Sequence, residues 1–200
     1  MSEAKESLPR IYLVRHGETE WSIAHRHTGF TDLPLTPRGE DNARDLSSRL
    51  GGIKFDLVLT SPRQRARRTC ELAGFGKVAV VDFDLAEWNY GEYEGRTSSE
   101  IRKEHRGWNL FRDGCPGGEN AQQVGARADR AIGRIRKGQG NALVFSHRHF
   151  LSVFAVRWVG LPASDGGIFF LSEASVSVLG YDHSREERVV QLWNGTRHSN

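Results

Sequence analysis

The sequence predicts an α/β fold with a mostly parallel central sheet, and two observations support this prediction. Short apolar segments typical of buried strands alternate along the chain with segments of helical periodicity. Two of the strand-like segments run directly into a histidine, at His16 and His147. With 200 residues, of which 38% are hydrophobic, the chain can bury one sizeable core, so a single domain over residues 1–200 is expected.

The first half of the chain contains three predicted strands, at residues 10–14, 55–60 and 78–82. Between the first two, Thr36 and Pro37 have the residue types of an N-cap and a first turn, and they predict a helix. The apolar face of that helix is Ala43, Leu46 and Leu50. Ser61 and Pro62 repeat the pattern and predict the start of a second helix, which carries the segment RQRARR.

The second half of the chain continues the alternation. Thr97 and Glu100 have the spacing of a capping box, in which two residues satisfy each other's amides at a helix start. An amphipathic helix follows, with apolar positions Val124, Ala128, Ala131 and Ile135. The remaining predicted elements are a strand at 141–146, a helix from about 150 to 159, and strands at 174–182 and 188–193.

The composition narrows the classes of function. The formal net charge is only +3, and a helix would point the arginines of RQRARR in different directions, so no nucleic-acid partner is expected. Two cysteines, Cys70 and Cys115, are too few for a disulfide framework or a paired-cysteine zinc site, which favours a reducing compartment. The N-terminal segment is polar and no stretch of eighteen apolar residues occurs, so we expect a cytoplasmic protein with no membrane partner. The sequence does not predict the oligomeric state, and an oligomer is possible.

The two histidines at strand ends predict a phosphate site. In open α/β sheets, ligands bind outside the carboxyl ends of the strands, so His16 and His147 are expected to be neighbours if their strands are parallel and close. A phosphoryl group carries charge on three oxygens, and arginine offers them a planar set of donors. Arg15 is adjacent to His16. Arg65, in the first turn of the helix after the second strand, would lie at the same edge.

An imidazole in this position can attack phosphorus directly. The attack requires a backbone carbonyl that holds the other ring nitrogen, and Gly17 would allow the tight turn that provides it. The leaving alkoxide needs a proton. Glu87 is the candidate donor, because the nearby aromatic residues Trp88 and Tyr90 would keep a carboxyl partly neutral. The alternative donors are Glu18, Glu92 and Glu94.

Five segments resemble, in order, the motifs of the histidine phosphatase superfamily, also called phosphoglycerate mutase-like. They are LVRHGETEW, TGFTDLPLTPRGE, SPRQRARRT, LAEWNYGEYEG and VFSH, and the resemblance extends from residue 10 to about residue 160. It implies a three-layer αβα sandwich, no required metal or cofactor, and phosphorylation of His16. By the same resemblance, Arg15, Arg65 and His147 would form the phosphate pocket. Glu87 would donate the proton.

Within the superfamily, EWNYGEYEG and RDGCPGGEN are similar to the phosphatase branches, in particular to sedoheptulose-bisphosphatase-like and bacterial acid-phosphatase-like members. Mutases usually have a longer segment after the acid, and this chain is short there. We therefore expect a phosphatase that hydrolyses small phosphorylated metabolites, including sugar phosphates, through a phosphohistidine intermediate. A phosphoglycerate mutase and a weakly catalytic or non-catalytic protein that binds phosphate esters are the alternatives.

Two positions depart from the family pattern. Arg148 stands where a glycine usually follows the second histidine, and Ser152 stands where the family often has arginine. Arg148 would either restore the charge lost at Ser152 or crowd the pocket and lower the activity.

The expected substrate-binding residues are Arg15, Gly17, Ser22, Thr28, Gly29, Arg65, Tyr90, Arg148 and His149. Ser22 and His149 enter this set by resemblance, and mutases commonly carry asparagine at the position of Ser22. The spacing of His147 and His149 could also suit a metal, but no third ligand of suitable spacing accompanies them, so no metal is expected.

Overall fold

The computed structural model describes residues 8–196, which fold around a six-stranded mixed sheet. The strands are β1 (Ile11–Arg15), β2 (Leu57–Thr60), β3 (Val80–Val81), β4 (Ala142–Ser146), β5 (Val176–Tyr181) and β6 (Arg188–Gly195). Their order across the sheet is β3-β2-β4-β1-β5-β6. β1 to β4 run parallel to one another, whereas β5 is antiparallel to β1 and β6 is antiparallel to β5. The mostly parallel sheet predicted from the sequence is confirmed.

The connections between the strands contain the helices. The α-helices of the described residues are α1 (Glu20–Ile23), α2 (Pro37–Leu50), α3 (Gln64–Leu72), α4 (Ser98–Glu104), α5 (Leu110–Asp113), α6 (Ala121–Ile135) and α7 (Arg148–Trp158). Short 3-10 helices cover Phe83–Leu85, Gly91–Tyr93 and Ala163–Ile168. Within residues 8–196, no helix has the length and apolar character needed to cross a membrane.

Side chains that alternate along the strands build one core on each face of the sheet. On one face, Leu13 of β1 and Val144 of β4 belong to a cluster with the apolar sides of α6 and α7. On the other face, Val14 and Phe145 belong to a cluster with α2 and α3. Helices therefore cover both faces, and the expected three-layer αβα sandwich is confirmed.

Two helix starts differ from their predictions. α3 begins at Gln64, and Arg63 occupies the N-cap position without a capping hydrogen bond from its side chain. The hydroxyl of Ser61, the predicted cap, instead lies 2.7 Å from Nε2 of His147. α7 begins at Arg148, earlier than the predicted start near residue 150, because the chain enters the helix directly from His147 at the end of β4.

The third predicted strand is shorter and more exposed than the sequence suggested. Only Val80 and Val81 pair with β2, and their side chains are 58% and 41% exposed. β3 lies at the edge of the sheet and pairs on one side only. Its valines favour the strand conformation, but they remain exposed at this edge. The cap at Thr36 and the capping box of Thr97 and Glu100 are confirmed.

The ends of β1 and β4 lie side by side. The two strands pair in parallel with Arg15 beside Ser146, and the next amide, that of His16, donates to the Ser146 carbonyl over 3.0 Å. The chain therefore leaves β1 and β4 at neighbouring positions on the same edge of the sheet. The ring centroids of His16 and His147 are 5.1 Å apart, which confirms that these histidines are neighbours.

The chain after β1 packs tightly against the start of α2. A Cβ atom on Gly17 would overlap the carbonyl of Gly39, and a Cβ atom on Gly39 would overlap the carbonyl of Glu18. Gly17 is not among the residues with positive φ. The close approach of two backbone segments, rather than the predicted tight turn, therefore requires glycine at this position.

Gly39→Ala is expected to destabilise the protein by about 1–3 kcal/mol, because the backbone of Glu18 must move to admit the methyl group. Gly133→Ala in α6 is the matched control, since a Cβ atom there meets no heavy atom within 4 Å. The control should stabilise the helix by about 0.5–1 kcal/mol. Urea unfolding measures both changes. A Gly39→Ala midpoint at or above that of the unmodified protein would contradict the close approach.

Candidate active site

A cavity of about 530 Å³ opens beside the ends of β1 and β4. The predicted site residues that line it are Arg15, His16, Ser22, Thr28, Glu87, Tyr90, Arg148 and His149. The predicted site residues outside its lining are Gly17, Gly29, Arg65 and His147. The other described residues of the lining are Thr19, Ala24, His25, Arg26, His27, Thr97, Ser98, Ser99, Phe170 and Glu173.

His16 is held in one tautomer by the residue that follows it. Its Nδ1 lies 2.7 Å from the carbonyl oxygen of Gly17, and because a carbonyl can only accept, the proton must be on Nδ1. Nε2 is then unprotonated and nucleophilic. Burial, followed by the charges of Arg65 and Arg15, lowers the pKa of His16 well below its usual value. The ring is therefore neutral at neutral pH.

Arg15 lines the cavity, and only some of its N–H donors have acceptors within the protein. One terminal nitrogen donates to the carbonyl of Leu171, and Nη2 donates to the carboxylate of Glu173 over 2.7 Å. Its Nε is buried and has no hydrogen-bond partner within the described residues. Since an unsatisfied buried donor costs about 1–3 kcal/mol, an anion beside Arg15 would find a donor already in place.

Arg65 and His147 form a fully buried chain with Ser61. Nε of Arg65 donates to Nδ1 of His147 over 3.2 Å, so His147 carries its proton on Nε2. That N–H faces the Ser61 hydroxyl at 2.7 Å. Burial, followed by the charge of Arg65, lowers the pKa of His147 well below its usual value and keeps the ring neutral.

The guanidinium group of Arg65 is directed at backbone carbonyls. Nη1 donates to Thr31 over 3.0 Å, and Nη2 donates to Thr28 over 2.8 Å and to Gly29 over 3.3 Å. The Gly29 amide in turn donates to the Glu94 carboxylate over 2.8 Å. Both backbone groups of Gly29 are thus engaged by the protein, whereas Thr28 remains in the lining of the cavity.

Glu87 is the one of the four candidate acids that lines the cavity. Its Oε1 accepts from the amides of Trp88 and Phe150, each over 2.9 Å, and its Oε2 accepts from the His149 amide over 3.2 Å. Two of these amides belong to the first turn of α7, whose dipole favours a charged carboxylate. Burial outweighs these bonds and raises the pKa of Glu87 above its usual value, so the carboxyl holds its proton to higher pH.

Aromatic rings form a second wall of the cavity. The Tyr90 hydroxyl lies 2.6 Å from Nδ1 of His149, and the rings of Tyr90 and His27 have centroids 4.7 Å apart. Nε2 of His27 lies 3.2 Å from the Ser98 hydroxyl. Burial lowers the pKa of His27 to about 4 and that of His149 well below its usual value. At neutral pH this wall therefore offers hydroxyl and imidazole groups without charge.

Ser22 and Ser152 are both engaged by backbone groups. The Ser22 hydroxyl donates to the Thr19 carbonyl over 2.9 Å and accepts from the Thr19 amide, which caps α1. The Ser152 hydroxyl is within hydrogen-bond distance of the carbonyls of Arg148 and Phe169, and Ser152 lies outside the cavity lining. Of the two departures from the family pattern, only Arg148 reaches the site.

Sequence reasoning missed the ten other residues of the cavity lining, and it also missed the contact of Ser61 with His147. A serine followed by proline is typical of helix starts, so the pattern at Ser61 predicts a helix cap and not a contact with a histidine. His27 lies in an irregular segment without periodicity that would orient its ring. Glu173 precedes β5, and no local pattern connects a loop acid with Arg15, 158 positions earlier.

His147 and His149 do not face a common point as a metal pair would. His147 is bonded to Arg65 and Ser61, whereas Nδ1 of His149 faces Tyr90. In the described part of the chain, the group of three side chains close enough to share a cation is Asp182, His183 and Glu187, all exposed between β5 and β6. That group lies outside the cavity lining.

A three-layer αβα fold with two histidines and two arginines at one sheet edge defines the class of histidine phosphatases. The sequence profile of the histidine phosphatase superfamily (branch 1) matches residues 11–196. The chain belongs to this family. The expectation of a phosphatase-type enzyme is confirmed at the level of the family.

Two curated relatives are phosphatases by name. An acid phosphatase of Mycobacterium tuberculosis is 39% identical over 185 residues, which cover 90% of this chain and 91% of that protein. A sedoheptulose 1,7-bisphosphatase of Saccharomyces cerevisiae is 42% identical over 185 residues, covering 76% of this chain and 68% of that protein. The solved structure of a Mycobacterium tuberculosis open reading frame product has a TM-score of 0.89 at 38% identity, covering 94% and 98% of the two chains.

Ser61→Ala is expected to lower kcat/KM for p-nitrophenyl phosphate about tenfold and to destabilise the protein by about 1–3 kcal/mol, because the Nε2–H of His147 loses its acceptor. Ser61→Thr keeps a hydroxyl and should restore most of the activity. Ser177→Ala is the matched control, since this buried serine accepts from the Asn194 amide outside the cavity. If both alanine variants lose stability and activity alike, Ser61 has no special relation to the site.

Proposed function

We propose that the protein is a metal-independent phosphatase that hydrolyses a small phosphate monoester through a phosphohistidine at His16. The observation that carries this proposal is the hydrogen bond from Nδ1 of His16 to the Gly17 carbonyl, 2.7 Å long. It leaves Nε2 with a free electron pair on a residue that lines the cavity beside Arg15. The nucleophile, the anion donor and the acid Glu87 are thus protein side chains that share one cavity.

In the first half of the reaction, Nε2 of His16 attacks the phosphorus atom, and the bond from phosphorus to the ester oxygen breaks. Glu87 gives its proton to that oxygen, which leaves as an alcohol. The raised pKa of Glu87 favours the protonated form that this step needs. The unpartnered Nε of Arg15 donates to the phosphoryl oxygens, on which charge is concentrated.

In the second half of the reaction, Glu87 is a carboxylate and accepts a proton from water as the water oxygen attacks phosphorus. The bond from phosphorus to His16 breaks, and inorganic phosphate leaves. Throughout the cycle, the proton stays on Nδ1 of His16, which donates it in a hydrogen bond to the Gly17 carbonyl. No change of tautomer is therefore needed between turnovers.

Arg65 and His147 lie outside the cavity lining and are fully buried, so they act on the site through charge and hydrogen bonds. In the structure, His147 has both ring nitrogens engaged by Arg65 and Ser61, and Arg65 keeps at least one N–H of Nη1 beyond its carbonyl contacts. This arrangement supports an electrostatic function for Arg65 and a positioning function for His147. In addition to burial, the positive charge of Arg65 disfavours a second proton on the His16 ring and so keeps Nε2 free.

The remainder of the cavity supports a hydroxylated substrate, such as a sugar phosphate. A volume of about 530 Å³ lies in the range for metabolite-sized ligands. The wall of Tyr90, His149 and His27 is neutral, and the hydroxyls of Thr28 and Ser98 lie in the same lining. Such groups exchange hydrogen bonds with alcohols without requiring a charge on the ligand.

A small phosphate ester remains the expected partner, and the cytoplasm remains the proposed compartment. Cys70 and Cys115 are both buried and unpaired, which is typical of proteins from reducing compartments. Burial raises the pKa of each thiol to about 12, so neither competes with His16 as a nucleophile.

The protein should hydrolyse p-nitrophenyl phosphate in the presence of EDTA, and His16→Ala should lower kcat by about 10³-fold or more, since no other group can form the covalent intermediate. His183→Ala, at an exposed histidine between β5 and β6, is the control and should leave kcat unchanged. Undiminished turnover in His16→Ala would refute the assignment. Isomerisation of a phosphoglycerate without phosphate release would identify a mutase, and calorimetric binding without hydrolysis at any pH would identify a binding protein.

The pH profile of kcat/KM should be bell-shaped with its maximum on the acidic side of neutrality. The lowered pKa of His16 keeps the nucleophile unprotonated below the usual range of histidine, and activity falls at higher pH as Glu87 loses its proton. The profile must be corrected for the second ionisation of the substrate, near pH ~6.

Glu87→Gln tests the origin of the high-pH limb. It should slow alkyl phosphates more than p-nitrophenyl phosphate, because p-nitrophenolate leaves readily without a proton. Glu92→Gln, at an exposed glutamate, is the matched control. An equal loss with both kinds of substrate would exclude Glu87 as the proton donor.

A further inference from the structure

The cavity holds more positive charge than one phosphoryl group requires. Arg15, Arg26 and Arg148 line it, and the acids of the lining are Glu87 and Glu173. The carboxylate of Glu173 pairs with Arg15 over 2.7 Å, whereas burial favours the neutral form of Glu87. Within the described residues, no acid pairs with Arg148. Among the described residues, no acid therefore balances the charge of Arg148 in a cavity whose lining already contains Arg15 and His16.

Arg148 is held at the mouth of the cavity by an aromatic ring. Its guanidinium carbon lies 4.6 Å from the centroid of Phe170, whose side chain is 55% exposed and also lines the cavity. A cation–π contact of this kind holds the guanidinium group over the ring without using its hydrogen bonds. The position of Phe170 at the surface places the charge at the entrance.

The donors of Arg148 have no acceptor in the described part of the chain. Its Nε is buried and unpartnered. No other nitrogen of its guanidinium group makes a hydrogen bond to the described residues, in contrast to Arg65, whose nitrogens meet His147 and three carbonyls. A guanidinium group with free, parallel donors is suited to bind a second oxyanion in a bidentate manner.

We propose that Arg148 binds a second anionic group of the substrate, so that the preferred substrates are phosphate monoesters that also carry a carboxylate or another phosphate. The inference rests on the proposed function for the identity of the reacting phosphate. It assigns the transferred phosphoryl group to His16 and Arg15, and the second oxyanion to the entrance of the cavity. A carboxylate and a phosphate both present two charged oxygens that can accept two parallel hydrogen bonds from a guanidinium group.

Two matched pairs of substrates test this inference. Glycerol 3-phosphate and 3-phosphoglycerate differ by a hydroxymethyl group in place of a carboxylate, and fructose 6-phosphate and fructose 1,6-bisphosphate differ by one phosphate. The unmodified protein should show a higher kcat/KM for the anionic member of at least one pair. The pair with the larger ratio identifies the second oxyanion as a carboxylate or a phosphate.

Arg148→Gln should lower that ratio about tenfold or more, mainly through a higher KM for the anionic member. Arg148→Lys keeps the charge but loses the planar fork, and it should give an intermediate ratio. Arg130→Gln is the matched control, because Arg130 is an exposed arginine that pairs with Asp84 outside the cavity, and it should leave the ratio unchanged. Thermal unfolding verifies that each variant is folded.

An equal loss for the neutral and anionic members would overturn the inference, because Arg148 would then serve the transferred phosphate. An unchanged ratio would overturn it as well. If the unmodified protein hydrolyses neither these esters nor p-nitrophenyl phosphate, the proposed hydrolysis fails, and calorimetric affinities for the same pairs still test Arg148. A tenfold loss of affinity confined to the anionic member in Arg148→Gln would support it in that case.

Discussion

The parallel pairing of β1 with β4 is the contact on which the cavity depends. It brings two segments more than a hundred residues apart to the same level of one sheet edge, with Arg15 beside Ser146. The hydrogen-bond ladder extends to the amide of His16, the first residue beyond β1. Gly17 and Gly39 then allow the following backbone to pack against α2 without side chains between them. His16 therefore lies one residue beyond β1, with its amide held by the end of β4.

Charge and burial together determine the protonation of the site. Burial disfavours the charged form of His16 and His147, and the nearby charges of Arg65 and Arg15 disfavour it further. The same burial raises the pKa of Glu87, so its carboxyl holds its proton to higher pH. Exclusion of water thus lowers the pKa of the imidazole and raises that of the carboxyl in the same cavity.

The sequence could predict the residues that stand at strand ends and helix starts, because their positions follow from local patterns. His16, His147 and Arg65 are of this kind, and the buried inward turn of Arg65 follows from its place in the first turn of α3. Contacts between loops could not be predicted, since neither periodicity nor spacing orients them. The bond of Glu173 to Arg15 is one example. The replacement of a Ser61 cap by a Ser61–His147 contact is another, because a tertiary partner prevailed over a local preference.

The attachment of Glu87 to the amides of His149 and Phe150 joins the acid to the first turn of α7. That turn also carries His147 at its cap and Arg148 at its first position. A small rotation or shift of this helix would displace Arg148 and His149 of the cavity lining, Glu87 through its hydrogen bonds, and the buried His147. The segment before β5 would respond to the same movement, because the Phe169 carbonyl accepts from the Ser152 hydroxyl of α7 and the Phe170 ring contacts Arg148.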